Sequence, residues 1–296
     1  MSHSIPSVKP SDFRVTRKRK VSLKRYPTRI QPLYRSRSHY RRILQYHADE
    51  LDKLQVLLQA SARHAVLIIF QAVDTAGKDG MIRHVMSGVS PQGCRVASFK
   101  SPSDEETRHD FLWRAVCRLP ERGQIGIFNR SYYEDVLIAR VHPHILDAQH
   151  LPAPRDKGNP LWEGRYQSIR DLEAHLHRNG THVIKFYLHL SQEEQRERLR
   201  ARLDQPEKNW KLSLSDINER QFWKDYAQAY ERCIAETARE ESPWYIVPAD
   251  DKENARIIVS SLLLRHLHSL DLAYPRPDKE QKKILRFISE KLQNGG

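Results

Sequence analysis

The sequence predicts an α/β protein, a mainly parallel sheet flanked by helices, from three observations. Short apolar runs recur between segments of helical spacing. S-x-x-E pairs fall directly after several of these runs, where a doubly wound fold requires a helix to begin. The first run ends in a turn holding Gly77-Lys78, followed by an amphipathic segment. A chain of 296 residues, 39% of them hydrophobic, is long enough for one core with extensions.

Taken in order, the chain begins with a basic arm. Residues 1–42 hold 13 Lys/Arg against Asp12 alone, whereas the remainder holds 37 Lys/Arg and 36 Asp/Glu, so the formal charge of +13 is almost all in the arm. It includes Arg17-Lys18-Arg19-Lys20, Lys24-Arg25 and Arg41-Arg42. It reads either as a contact for a polyanion (RNA, DNA or polyphosphate) or as a solvated, flexible leader. The balanced body argues against a dedicated reader of duplex DNA. Residues 40–59 place Ile43, Leu44, Leu51, Leu54 and Leu58 near helical spacing. Strands are expected at 65–71, 95–99, 125–128, 183–190 and 245–248. Ser103 with Glu106, Ser131 with Glu134, and Ser191 with Glu194 mark three helix starts as capping boxes. Residues 150–160 form a Pro-rich connector, and 279–293 a charged amphipathic helix suited to packing or to contact between copies. The expected organisation is an arm at 1–34, a body at 35–275 with a lid near 191–240, and a tail at 276–296.

No apolar run approaches the roughly 20 residues of a membrane helix, and the basic N-terminus lacks the apolar stretch of a secretory signal. Cys94, Cys117 and Cys233 are odd in number and form no C-x-x-C, which predicts reduced thiols in a cytoplasmic protein.

Ligands of doubly wound folds bind beyond the carboxyl ends of the strands. There the sequence AVLIIFQAVDTAGKDG suits a buried strand, a turn and a helix start, a natural anion site. Ala76, Gly77, Lys78, Asp79 and Gly80 are the candidate phosphate binders, with Lys78 as a mobile cation. The usual loop pattern is G-x-x-x-x-G-K-[ST]; here Ala72 replaces the first Gly and Asp79 the hydroxyl residue. After the third strand comes FNRSYYED. Asn129 stands where a metal-organising carboxylate is usual, so Asp74, Glu134 and Asp135 are the candidate ligands for Mg2+, or Mn2+ in its place. Asp74, Lys78, Asn129, Arg130, Glu134 and Asp135 are the candidate catalytic set. Plain structural readings compete: Glu134 as the end of a capping box, Asp135 as a charge favoured in a first helical turn. Asp74 has none, since a carboxylate beside bound phosphate repels it unless a metal intervenes. Residues 191–223 carry Arg196, Arg198, Arg200, Arg202, Lys208 and Lys211 and read either as a lid over phosphates or as a solvated ion-pair ladder.

AVDTAGKDG, FNRSYYED and EEQRERLRARLDQPEKNWKLS, in that order and with HVMSGVSPQGCRVASFKSPSDEETRHDFLWR between the first two, resemble the motifs of the polyphosphate kinase 2 family over roughly residues 35–270. The resemblance implies a P-loop kinase fold similar to thymidylate kinase with a helical lid. It also implies Mg2+-dependent phosphoryl transfer between inorganic polyphosphate and AMP, ADP, ATP or guanine nucleotides. By that resemblance Lys78 and the loop around Gly77 bind phosphates, Asp74 serves the metal, Arg130 holds the transferred phosphate, and Arg198 and Lys208 are lid cations. A homodimer or homotetramer is expected, with neither membrane nor specific nucleic acid as partner. Many members have Asp where this chain has Asn129; the change resembles a subgroup that accepts AMP as well as ADP. An NTP-dependent nucleotide kinase of the same fold and a non-catalytic polyanion binder are the rival readings.

Overall fold

The computed structural model describes residues 5–15, 20–149, 151, 159–210 and 212–293. Arg17, Lys18 and Arg19 of the arm, Lys211, and the greater part of the 150–160 connector lie outside the described residues.

In chain order the elements are β1 (Arg14–Val15), α1 (Arg37–Ser61), β2 (Ala65–Gln71), α2 (Lys78–Val85), β3 (Cys94–Ser98), α3 (Asp104–Thr107), α4 (Trp113–Val116), β4 (Ile125–Asn129) and α5 (Glu134–Val141). Then follow α6 (Asn159–Arg178), β5 (Thr181–His189), α7 (Gln192–Leu203), α8 (Pro206–Asn209), α9 (Leu214–Asn218), α10 (Trp223–Thr237), β6 (Trp244–Pro248), α11 (Lys252–His268) and α12 (Lys279–Gln293). The sheet order is β1-β6-β5-β2-β4-β3, with β2 to β6 parallel and β1 antiparallel to β6.

Every residue of β2 is buried, as a strand covered on both faces must be. Its side chains alternate between two cores. Val66, Ile68 and Phe70 meet α1, α2 and α11 through Leu54, Ile82 and Ile258. Leu67 and Ile69 share the opposite core with Val136 of α5, Tyr166 of α6 and Ile234 of α10. Each such side chain contributes about 1.5–3 kcal/mol of burial, and together they fix the five parallel strand ends on one edge, where the phosphate turn must be held.

Two expectations change. The described part of the arm is seated on the body: Phe13, Val15, Val21 and Leu23 are buried, and β1 extends the sheet. Apolar residues interleaved with its cations make this possible. Secondly, only some capping boxes form. Ser103 and Glu106 make the reciprocal pair. Ser191 caps α7 by accepting from Glu194 N. Ser131 caps nothing: α5 begins at Glu134, and Ser131 Oγ accepts from Tyr133 N instead. Burial of both Tyr132 and Tyr133 turns this segment inward. Among the described residues no helix is long and apolar enough to cross a membrane. On α12, Ile284, Phe287, Ile288 and Leu292 are all exposed.

Candidate active site

The phosphate turn forms because the chain leaves β2 through a left-handed step. Gly77, at φ +95°, is the N-cap of α2, a conformation that suits glycine. Thr75 and Arg130 also lie in the left-handed region, at φ +66° and +63°. For side-chain-bearing residues this costs on the order of 1 kcal/mol each and is typical of functional turns. The first N–H groups of a helix have no intrahelical partners, and Gly77, Lys78, Asp79 and Gly80 at the start of α2 line a cleft.

Lys78 is half-buried and folds its ammonium back onto the turn, donating to Ala72 O (2.8 Å) and Val73 O (3.5 Å). Burial lowers its pKa, opposed by Asp74. Arg130, at the end of β4, donates through Nη2 to Asp74 Oδ1 at 2.8 Å. The turn and the NRS segment are therefore joined before any substrate arrives.

The two departures from the usual loop pattern meet each other. Asn129 Nδ2 donates to Asp79 Oδ1 at 2.5 Å. An Asp at position 129 would set one carboxylate against another there. Asp79 is thus turned toward the end of β4, and the residues that looked like two separate losses form one contact.

Glu134 is released from the capping role, and its carboxylate lies in the site. With the Gln71 amide nitrogen directed at it, Gln71 donates to Glu134 Oε1 at 2.8 Å and accepts from Ser131 Oγ and N at 3.2 Å. Burial raises the Glu134 pKa; Arg130 and Lys78 oppose the rise and Asp74 adds to it. Asp74, Arg130 and Glu134 line a small cavity of about 50 Å³ together with Gln195 of α7 and Trp223, Tyr226 and Tyr230 of α10. Gln195 also donates to Asp74 O at 3.2 Å.

Asp135 does not join them. One position on, it points to the far side of α5, to Arg114 Nη2 (3.9 Å), Arg165 Nη1 (4.0 Å) and Gln149 Nε2 (2.8 Å). Its place among the metal ligands is therefore corrected: consecutive helical residues project about 100° apart, so Glu134 and Asp135 serve different faces.

Arg198 also differs from a solvated lid cation. It is 7% exposed and donates to Ala76 O (2.9 Å), Thr75 O (3.4 Å), Ala249 O (2.6 Å) and Asp250 O (3.2 Å), with Glu194 Oε1 at 2.9 Å. It clamps the outer carbonyls of the phosphate turn to the β6–α11 junction. Lys208 is exposed and bonds Gln205 Oε1.

Two cavities flank the turn. A cleft of about 470 Å³ is lined by Asp74, Lys78, Asp79, Lys100, Asn129, Arg130, Arg202 and Asp216 among others. A groove of about 260 Å³ on the other side is lined by Arg83, Arg198, Arg202, Lys208, Lys252 and Arg256, with no carboxylate. Burial, with Arg198, Arg256 and Lys208 nearby, lowers the Lys252 pKa; Glu194 opposes this. Lys100, Lys252, Arg256, Gln71 and Gln195 were not singled out in the sequence. Lys100 and Lys252 follow strand ends, the one signal that points to them.

For a divalent cation, Asp74 and Glu134 supply hard oxygen donors on one cavity wall. Among the described residues no group of three or more His, Cys, Asp or Glu is set to hold a metal. That donor set fits an ion such as Mg2+, which takes one or two carboxylates and completes its shell with water and substrate phosphates.

The chain as a whole is similar to known proteins. The family model described as polyphosphate kinase 2 matches residues 34–274. An ADP-polyphosphate phosphotransferase of Rhodopseudomonas palustris is 55% identical over 285 residues, 96% of this chain and 99% of the relative. An AMP/ADP-polyphosphate phosphotransferase of Meiothermus ruber is 44% identical over 235 residues, 79% of this chain and 84% of the relative. The crystal structure of polyphosphate kinase 2 from Arthrobacter aurescens superposes with a TM-score of 0.85 at 37% identity, covering 97% of this chain and 99% of that one.

Proposed function

The chain belongs to the polyphosphate kinase 2 family, and we propose that it transfers a phosphoryl group between inorganic polyphosphate and AMP or ADP. The observation that carries the reading is the pair of cavities on either side of one phosphate turn. Polyphosphate offers a uniform row of negative charge and no base, and the carboxylate-free groove of Arg83, Lys208, Lys252 and Arg256 suits it. The cleft with Lys78, Lys100, Arg130 and Arg202 suits the phosphate of the nucleotide.

In the forward direction an oxygen of the nucleotide phosphate attacks the terminal phosphorus of polyphosphate. The P–O–P bond breaks, and polyphosphate leaves one unit shorter. The attacking oxygen is already ionised near neutral pH, so no strong general base is required. The α2 N-terminus and Lys78 bind the phosphates at the turn, and Arg130, held by Asp74, holds the phosphoryl group in transit. Catalysis is positioning and charge neutralisation, beside a small cavity that Trp223 and Tyr226 help to wall. Asp74 and Glu134 would hold Mg2+, or Mn2+ in its place; when bound, the ion supplies neutralising charge for the phosphates. Asp74 stays beside phosphate for that purpose, while Asp135 holds Arg114 and Arg165 in the fold.

Asn129 lowers the negative charge facing the acceptor relative to an Asp, which favours AMP as well as ADP. Asn129→Asp with an unchanged ratio of AMP to ADP activity would remove that account. The test of the whole reading is incubation with AMP, Mg2+ and polyphosphate without any nucleoside triphosphate. ADP and then ATP are expected; product only when a triphosphate is added identifies the NTP-dependent kinase instead.

A further inference from the structure

The turn that carries Arg130 and Glu134 is held from beneath by a buried ionic group that no step above uses. Glu173, in the interior of α6, is 1% exposed. Its Oε1 accepts from Tyr132 OH (2.9 Å) and from Tyr133 OH (2.7 Å). Its Oε2 accepts from Lys185 Nζ at 2.5 Å. Lys185, fully buried on β5, also donates to Thr237 O (3.0 Å) at the end of α10 and to Ser242 Oγ (3.4 Å). Its ammonium lies 5.7 Å from the centre of the Tyr133 ring and 5.5 Å from that of Trp244.

A buried ion pair is expensive to desolvate and is often no more stabilising than apolar residues of the same volume. Its location then matters more than its strength. Tyr132 and Tyr133 fill the positions between Arg130, with its φ of +63°, and Glu134. An apolar core would hold two aromatic rings but would fix neither their depth nor their rotation about the chain. One carboxylate accepting from both hydroxyls fixes both.

We propose that Glu173 is a positioning residue for phosphoryl transfer, acting through Tyr132 and Tyr133 to set the left-handed turn at Arg130 and the aim of Glu134. This rests on the polyphosphate-dependent reaction proposed above. Lys185 ties the same carboxylate to the last turn of α10 through Thr237 O.

The test is a double-mutant cycle between Glu173→Gln and Arg130→Ala, read as kcat and KM for AMP and polyphosphate well below the melting temperature. Glu173→Gln keeps the volume and removes the shared charge. It is expected to lower kcat about tenfold or more with both KM values within about twofold. Arg130→Ala is expected to cost at least about tenfold less in the Glu173→Gln background than in the wild type, because Arg130 is already misplaced there. Equal factors in the two backgrounds, or a kcat unchanged by Glu173→Gln, overturn the inference; a merely structural role gives the former. Should Glu173→Gln fail to fold, Tyr132→Phe with Tyr133→Phe takes its place in the same cycle, with the same two outcomes. A wild-type protein inactive with polyphosphate overturns the proposed reaction and this inference together. An active wild type with an additive cycle overturns this inference alone.

Discussion

The cleft over Asn129 and Arg130 mixes Lys78, Lys100, Arg130 and Arg202 with Asp74, Asp79 and Asp216. The groove beyond the phosphate turn gathers Arg83, Arg198, Arg202, Lys208, Lys252 and Arg256 without a carboxylate. The two share Thr75, Gly77, Gly80 and Arg202, so they are two approaches to one turn. Their difference is one of charge pattern. Mixed signs allow a cleft to recognise a small ligand by direction and to recruit a metal. A cluster of one sign costs self-repulsion that a polyanion would relieve; burial first, and then Arg198, Arg256 and Lys208, lower the Lys252 pKa, which Glu194 opposes. On the proposed reading, one side discriminates and the other accepts charge at any register.

The largest effect should come from the turn between them, at Lys78 on its cleft side. Lys78→Met is expected to lower kcat by at least about 10²–10³-fold, the scale of losing one transition-state donor, while the melting temperature stays near that of the wild type. Near-normal turnover would break the comparison at its centre. Asp74 and Asp135 come next and separate site from scaffold. Asp74→Asn should lower kcat and raise the Mg2+ requirement in a titration. Asp135→Asn should instead leave Arg165 and Arg114 without their buried charge partner, costing about 3 kcal/mol in denaturant unfolding with the Mg2+ requirement unchanged.

The groove and the cleft can then be separated by substrate. Lys252→Ala with Arg256→Ala should raise KM for polyphosphate about tenfold while leaving KM for AMP within about twofold; Lys100→Ala should do the reverse. Matching rises in both constants would show that the cavities are not functionally distinct. The smallest expected effect is a pH dependence confined to the groove. Because burial and neighbouring cations lower the Lys252 pKa, its charge is lost on the alkaline side at a lower pH than that of an ordinary lysine. KM for polyphosphate should therefore rise with pH a few-fold, KM for AMP should not, and Lys252→Arg should flatten the profile.

Much of this was legible in the sequence for a physical reason. The span of β2 is the seven-residue apolar run read at 65–71, because a strand covered on both faces must be apolar throughout. The turn was legible from Gly77-Lys78 after that run; Asp74 was singled out because a carboxylate there had no plain structural reading, and the structure pairs it with Arg130. Glu134 was not separable from a capping residue, since S-x-x-E describes Ser103 with Glu106, where the box forms, as well as Ser131 with Glu134, where it does not. The difference lies in the two tyrosines between, which are drawn into the core and carry Ser131 with them. Asp135 looked equivalent to Glu134 because sequence proximity says nothing of helical face until the helix start is known.

What the sequence by itself determined is what depends on local chemistry: the alternation of strands and helices, the anion-binding turn, and the absence of a carboxylate at position 129. Only the tertiary structure decided what depends on which distant groups meet. It paired Asn129 with Asp79 across 50 residues and sent Asp135 to Arg114 and Arg165. It also buried Arg198 as a clamp on the turn and assembled the groove from α2, α7, α8 and α11. A side chain's charge is written in the chain, but its partner and its degree of burial are set by packing, and those two quantities decide whether a charge binds, positions or merely solvates.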